Sequence, residues 1–154
     1  MLIPVLNPLF IENARSIMDP AWPISFEIHD FVQAALPHQY SAVYALDVLE
    51  HIEPRDEFDF LSNLVASLVD DGIAVIGMPS IESQPHANPA SRDGHVNCKS
   101  GPDLKECLRT HFQQVFVFST NDEVIHTGYP PMAHYLLALC VGPIRTCWPV
   151  LPGL

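Results

Sequence analysis

Short apolar runs alternate along this chain with segments whose apolar residues recur every three or four positions, the pattern of strands and helices taken in turn. Leu2 to Leu6 reads as a short strand, and Asn7-Pro8 supplies an N-cap followed by proline at the first helical position. The helix that follows carries Phe10, Ile11, Ala14, Ile17 and Met18 at helical spacing and stops at Asp19-Pro20. Ile24 to Ile28 is a second strand, with His29-Asp30 at its C-terminal end. Ser41 to Leu46, SAVYAL, has the length and apolarity of a strand covered on both faces, and Asp47 marks its exit. From Glu57 to Val69, the stripe Leu61, Leu64, Val65 and Leu68 predicts an amphipathic helix closed by Asp71-Gly72. Ile73 to Met78 is a second buried parallel strand, ending at Pro79.

Ser80 to Lys99 reads as one long polar loop, a length that usually carries function. Ser100-Gly101-Pro102-Asp103 then opens a helix in the manner of a capping box, with Leu104, Cys107 and Leu108 facing inward. Val115 to Ser119 and Met132 to Val141 are the last strands, an antiparallel pair joined by the turn-rich stretch around Gly128-Tyr129-Pro130-Pro131. The order predicts an α/β domain over residues 1–142, with 143–154 as a C-terminal tail.

Composition narrows the class. With 154 residues, 48% hydrophobic and 16% charged, the chain is one globular domain able to bury about two thirds of its unfolded surface. The net charge of -11 opposes binding to phosphate backbones, so nucleic acid is excluded as a partner. Cys98, Cys107, Cys140 and Cys147 form no CxxC pair and read as reduced thiols in a cytoplasmic protein. The apolar start MLIPVLNPLF is too short for a membrane span and lacks the positive region of a secretory signal. No HxH or HExxH spacing among the eight histidines supports a zinc hydrolase.

The stretch YSAVYALDVLEHIEP, then a helix, then DDGIAVIGMPS, resembles the fourth and fifth strands of the class I, Rossmann-like S-adenosylmethionine-dependent methyltransferases, most specifically across Asp47 to Ile52. The resemblance covers about residues 2 to 141 and implies a mostly parallel sheet with a C-terminal antiparallel hairpin. Residues 1–7 match the family's second strand and 24–30 its third. The family's first strand and glycine-rich loop have no counterpart: no two of the seven glycines are spaced as G-x-G-x-G, and the acidic residue expected near Val5 is absent. That first strand lies at the centre of the family's sheet. Its loss leaves three outcomes open: the N-terminal strand moves into the slot, a second copy fills it in a homodimer, or the chain is a truncated reading of a longer gene.

The resemblance also implies site residues. Asp30 matches the position that contacts the cofactor's adenine and Phe31 would cover the ring, while Leu46 and Asp47 lie where the family's fourth strand meets the cofactor. Asp30 reads equally as a strand-end carboxylate capping its own turn. Asp47, Glu50 and His51 are the densest ionisable group, suited to a divalent cation, with His51 also suited to act as a base; they read equally as turn caps. His95 and Asn97 would line an acceptor pocket, His95 as a second candidate base, unless they are merely solvated loop residues. His111 and His126 read as surface or turn residues, and His134 as a hydrogen-bonded core histidine. Methyl transfer to a small molecule is the activity implied, and a non-catalytic binding module that keeps the sheet but not the cofactor is the alternative.

Overall fold

The SAVYAL and IAVIGM runs form neighbouring parallel strands, as apolar segments do when a crossover helix returns the chain to the same sheet edge. In this computed structural model, which describes residues 1–5, 8–122 and 124–145, the elements run β1 (Leu2–Val5), α1 (Pro8–Ile17), β2 (Ser25–Ile28), β3 (Tyr40–Leu46), α2 (Glu57–Ala66), β4 (Leu68–Pro79), α3 (Pro89–Gly94), α4 (Gly101–Arg109), β5 (Phe112–Asn121), β6 (Val124–His126) and β7 (Tyr135–Pro143). The Asn7 cap, Glu123, Cys147 and most of the tail fall outside the described residues.

The strands make two sheets. β1 and β2 pair in parallel by themselves, and the larger sheet has the order β3-β4-β7-β5-β6. Within it β3 and β4 are parallel, while β7 lies antiparallel between β4 and β5, and β6 returns on β5. The N-terminal strand therefore does not enter the larger sheet. Residues of β1 and β3 face each other across an apolar cavity of about 600 Å³, lined on one side by Met1 to Pro4 and on the other by Tyr40 to Leu46.

One face of the larger sheet is closed by α2 and α4. Leu61, Leu64 and Val65 of α2 and Leu104 and Leu108 of α4 bury with Ala74, Ile76 and Met78 of β4 and Leu136, Ala138 and Cys140 of β7. Residues two apart on a strand share a face, so the intervening positions point the other way. There Tyr44, Val75, Leu139 and Phe116 lie side by side across four strands, and Tyr44 and Phe116 are exposed. β3 is thus covered on one face and paired on one edge, not enclosed as its composition suggested.

Three boundaries differ from the periodic reading. α2 ends at Ala66, not Val69, because Leu68 already belongs to β4; Asp70, Asp71 and Gly72 bulge out where the register jumps from Tyr40↔Leu68 to Ala42↔Ile73. Ser80 to Lys99 is not one open loop. A 3₁₀ turn at Ile81–His86 is capped by Ser80, whose hydroxyl accepts from the Ser83 amide, and α3 is capped by Asn88 ahead of Pro89. β7 begins at Tyr135, leaving His134 exposed before the strand instead of inside the core.

Candidate functional site

At the C-terminal end of β3 the chain turns sharply. Asp47 adopts a left-handed φ of 55°, uncommon for a residue with a side chain, while its amide donates to the Gly77 carbonyl on β4 at 3.0 Å. Its side chain is exposed, and its neighbours Leu46 and Val48 line the cavity between the two sheets. Gly77 lies opposite Leu46 in the β3–β4 register, and a Cβ there would come within 2.7 Å of both the Leu46 side chain and the Tyr135 hydroxyl. The missing side chain makes room for Tyr135. Burial, and then the adjacent Asp47 carboxylate, push the Tyr135 hydroxyl well above the usual phenol range.

The Leu49–His51 segment is a 3₁₀ turn anchored by Leu49 in the core. That anchoring carries Glu50 inside with it: its side chain is 1% exposed, and neither carboxylate oxygen has a hydrogen-bond partner among the described residues. Burial raises the Glu50 pKa above the ordinary carboxylate value. His51 stands next to it, Nε2 lying 3.9 Å from Glu50 Oε1. The Asn97 amide donates to the Glu50 carbonyl at 3.0 Å, and this draws the 94–97 segment over the turn. His95 thereby reaches His51, the ring centroids 5.2 Å apart and edge to face. Glu50, His51 and His95 each present a ligand atom, all within 4.8 Å of one another. Asp47 is not in that group, so the converging set is a carboxylate and two imidazoles from the 3₁₀ turn and the 94–97 segment, not Asp47, Glu50 and His51.

Both imidazoles are held from behind. His51 Nδ1 bonds the Gly94 carbonyl at 2.8 Å, and His95 Nδ1 bonds Gln84 Oε1 at 2.9 Å. A carbonyl oxygen only accepts, so Nδ1 carries the proton in each ring. The Gln84 orientation is fixed in turn, because its amide nitrogen donates to the Ser80 carbonyl and to the Ser83 hydroxyl at 3.1 and 3.3 Å. With Nδ1 engaged in this way, Nε2 is the ring atom of each histidine left to exchange a proton or meet a ligand.

The remaining expected residues separate. Asp30 Oδ1 accepts from the Val32 amide at 2.9 Å in a turn of its own. Phe31 lines the same cavity as Leu46 and packs edge to face on Phe60, ring centroids 6.0 Å apart. Asn97 is buried, its side-chain amide donating to Glu57 Oε2 at 2.7 Å while its side-chain carbonyl accepts from Lys99. Lys99 Nζ meets the same Glu57 oxygen at 2.8 Å, and the Cys107 thiol donates to the other at 3.2 Å. Burial would raise the Glu57 pKa, but Lys99, Asn97 and Cys107 outweigh it and leave the group below its ordinary value. His111, read as a surface or turn residue, is buried; its ring meets the Ser62 and Thr110 hydroxyls and packs at a tilt against Phe58, and burial lowers its pKa. Sequence reasoning passed over Tyr135, Gln84 and Gly77; the one available signal was a glycine inside an apolar strand, which marks a close approach.

No protein-family model and no curated protein matches this sequence. Solved structures do. The chain is similar to the N-methyltransferase NodS of Bradyrhizobium japonicum WM9 in complex with S-adenosylhomocysteine, with a TM-score of 0.68 and 19% identity over 93% of this chain and 66% of that one. It is similar to a TehB-like SAM-dependent methyltransferase of Corynebacterium glutamicum, TM-score 0.64, 18% identical over 92% of this chain and 67% of the other. The 1,6-didemethyltoxoflavin-N1-methyltransferase of Burkholderia thailandensis, with S-adenosylhomocysteine bound, gives a TM-score of 0.59 and 16% identity over 92% of this chain and 60% of that one. The chain has the Rossmann-like fold of the class I SAM-dependent methyltransferases, and it spans about two thirds of the length of these structures. Among the described residues, no helix is long and apolar enough to cross a membrane.

Proposed function

We propose that the chain is a S-adenosylmethionine-dependent methyltransferase domain acting on a small-molecule acceptor. The observation that carries this reading is Asp47, held in a left-handed turn with its carboxylate exposed between two residues that line an apolar cavity, in a fold shared with enzymes that hold S-adenosylhomocysteine. Ligands of open α/β sheets bind at such a crevice, beyond the carboxyl ends of parallel strands. The residues fit the nucleoside half of the cofactor: Phe31, Leu46 and Val48 offer an apolar bed, and Asp47 and the unengaged oxygen of Asp30 offer acceptors for hydroxyl and amino groups. The glycine-rich cradle of the methionine half has no counterpart among the described residues. When bound, S-adenosylmethionine supplies a methyl group on an electrophilic sulfonium. The chain's own part is to orient the acceptor in line and to receive its proton at the bare Nε2 of His51 or His95.

The acidic surface speaks against a nucleic-acid acceptor, and unpaired Cys98, Cys107 and Cys140 suit a cytoplasmic setting. A second reading, a non-catalytic binding module of the same fold, is favoured by the slot between β1 and β3, which a partner or a second copy of the chain would fill. Calorimetric titration with S-adenosylhomocysteine, together with mass measured against concentration, separates the two. Binding with a dissociation constant on the order of 10 µM supports the enzyme. Absence of heat at millimolar ligand overturns it and leaves the module.

A further inference from the structure

We infer that Glu50, His51 and His95 form a binding site for a first-row divalent transition metal. The inference goes beyond methyl transfer: an ion held by both Nε2 atoms would take them out of the proton-receiving role and would itself lower the pKa of the acceptor oxygen. Two imidazoles and one carboxylate, with ligand atoms all within 4.8 Å of one another, are close enough for a single ion to bridge. Nitrogen-rich ligation of this kind selects zinc, copper, nickel or iron over magnesium and calcium, which prefer oxygen.

Two further observations point to a cation. Glu50 is almost fully buried with neither oxygen hydrogen-bonded among the described residues and only His51 Nε2, 3.9 Å from Oε1, beside it, an arrangement that costs free energy unless a positive charge meets it. His51 and His95 are each fixed through Nδ1 by a carbonyl acceptor, leaving Nε2 free. That is the outer support metal-ligating histidines require, fixing tautomer and ring orientation together. His51 is exposed, so the site opens to solvent on one side and leaves coordination positions for water or an oxygen of a bound acceptor. A metal there would polarise such an oxygen. The Ser80-capped turn that carries Gln84 is thereby part of the site, though it touches no ligand atom of Glu50.

The test is titration of the EDTA-stripped chain with cobalt chloride, followed by visible absorption, and with zinc chloride, followed by calorimetry, both without S-adenosylhomocysteine. One ion per chain with ligand-field bands is expected. Glu50→Gln and His95→Gln should abolish saturable binding, Gln84→Leu should weaken it by about 10–100-fold, and His86→Ala, a histidine outside the group, should leave it unchanged. Circular dichroism of each variant separates lost ligation from lost folding. Binding that survives Glu50→Gln or His95→Gln, or no saturable binding by a folded wild type at millimolar metal, overturns the site. Either result leaves the S-adenosylhomocysteine titration untouched, so the two readings fail separately.

Discussion

Replacing Glu50 by glutamine should stabilise the metal-free protein. The wild-type side chain is 1% exposed and its two oxygens lack partners among the described residues, so folding strips water from a carboxylate without returning hydrogen bonds. Leaving a buried polar group unsatisfied costs about 1–3 kcal/mol, and more when it is charged. Glutamine removes the charge, keeps the volume, and brings an amide that can donate to the bare Nε2 of His51 or His95. For a domain of this size each kcal/mol moves the melting temperature by roughly 2–4 °C, so the variant should melt several degrees higher. Differential scanning calorimetry at pH 8 in EDTA measures this directly. Saturating zinc should reverse the order, because an ion at one hundred times its dissociation constant adds about 2.7 kcal/mol to the wild type alone. A metal-free variant that melts at or below the wild-type temperature would refute the claim that the burial cost of Glu50 exceeds what the neighbouring His51 returns.

Gly77→Ala should destabilise the chain by about 1–3 kcal/mol, since its Cβ would overlap Leu46 and Tyr135, and should shift the Tyr135 phenol titration read by ultraviolet absorbance. The Glu57 cluster predicts acid sensitivity. Because folding depresses this pKa, its contribution is complete above the unfolded carboxylate value and is lost as pH falls through the folded one, so urea midpoints should decline in that window and Lys99→Met should flatten the decline. Burial pushes the Cys98 thiol up to about 11 and Cys107 and Cys140 up to about 12, so peptide mapping after iodoacetamide at pH 8 should find all three unmodified in the native chain and alkylated in urea. Rapid native alkylation of Cys140 would contradict its burial.

β3, α2, β4 and α4 were readable because each buries one face against a single layer, so period and burial coincide at Leu61, Leu64 and Val65 and at Leu104 and Leu108, whereas α3, with no buried residue, left no such stripe. The site was legible in part. The DVLEH segment stood out as a cluster of ionisable residues, yet sequence spacing joined Asp47 to Glu50 and His51, whereas the turn sends Asp47 towards Tyr135 and Glu50 inward. His95 looked like one loop histidine among several; only its hydrogen bond to Gln84 and the fold of 80–97 over the turn distinguish it from His86. His111 and His134 exchanged expected environments for the same reason, since periodicity reports which face a residue takes within an element but not where the element begins or what lies across from it.

By itself the sequence determined the local elements and the character of the fold, because backbone geometry, capping and apolar spacing act over a few residues. The separation of β1 and β2 from the larger sheet, the open slot beside β3 and the meeting of Glu50 with His95 were decided only in three dimensions. Strand pairing and side-chain convergence join residues tens of positions apart, and their free energy comes from which surfaces remain to be buried once the local elements have formed.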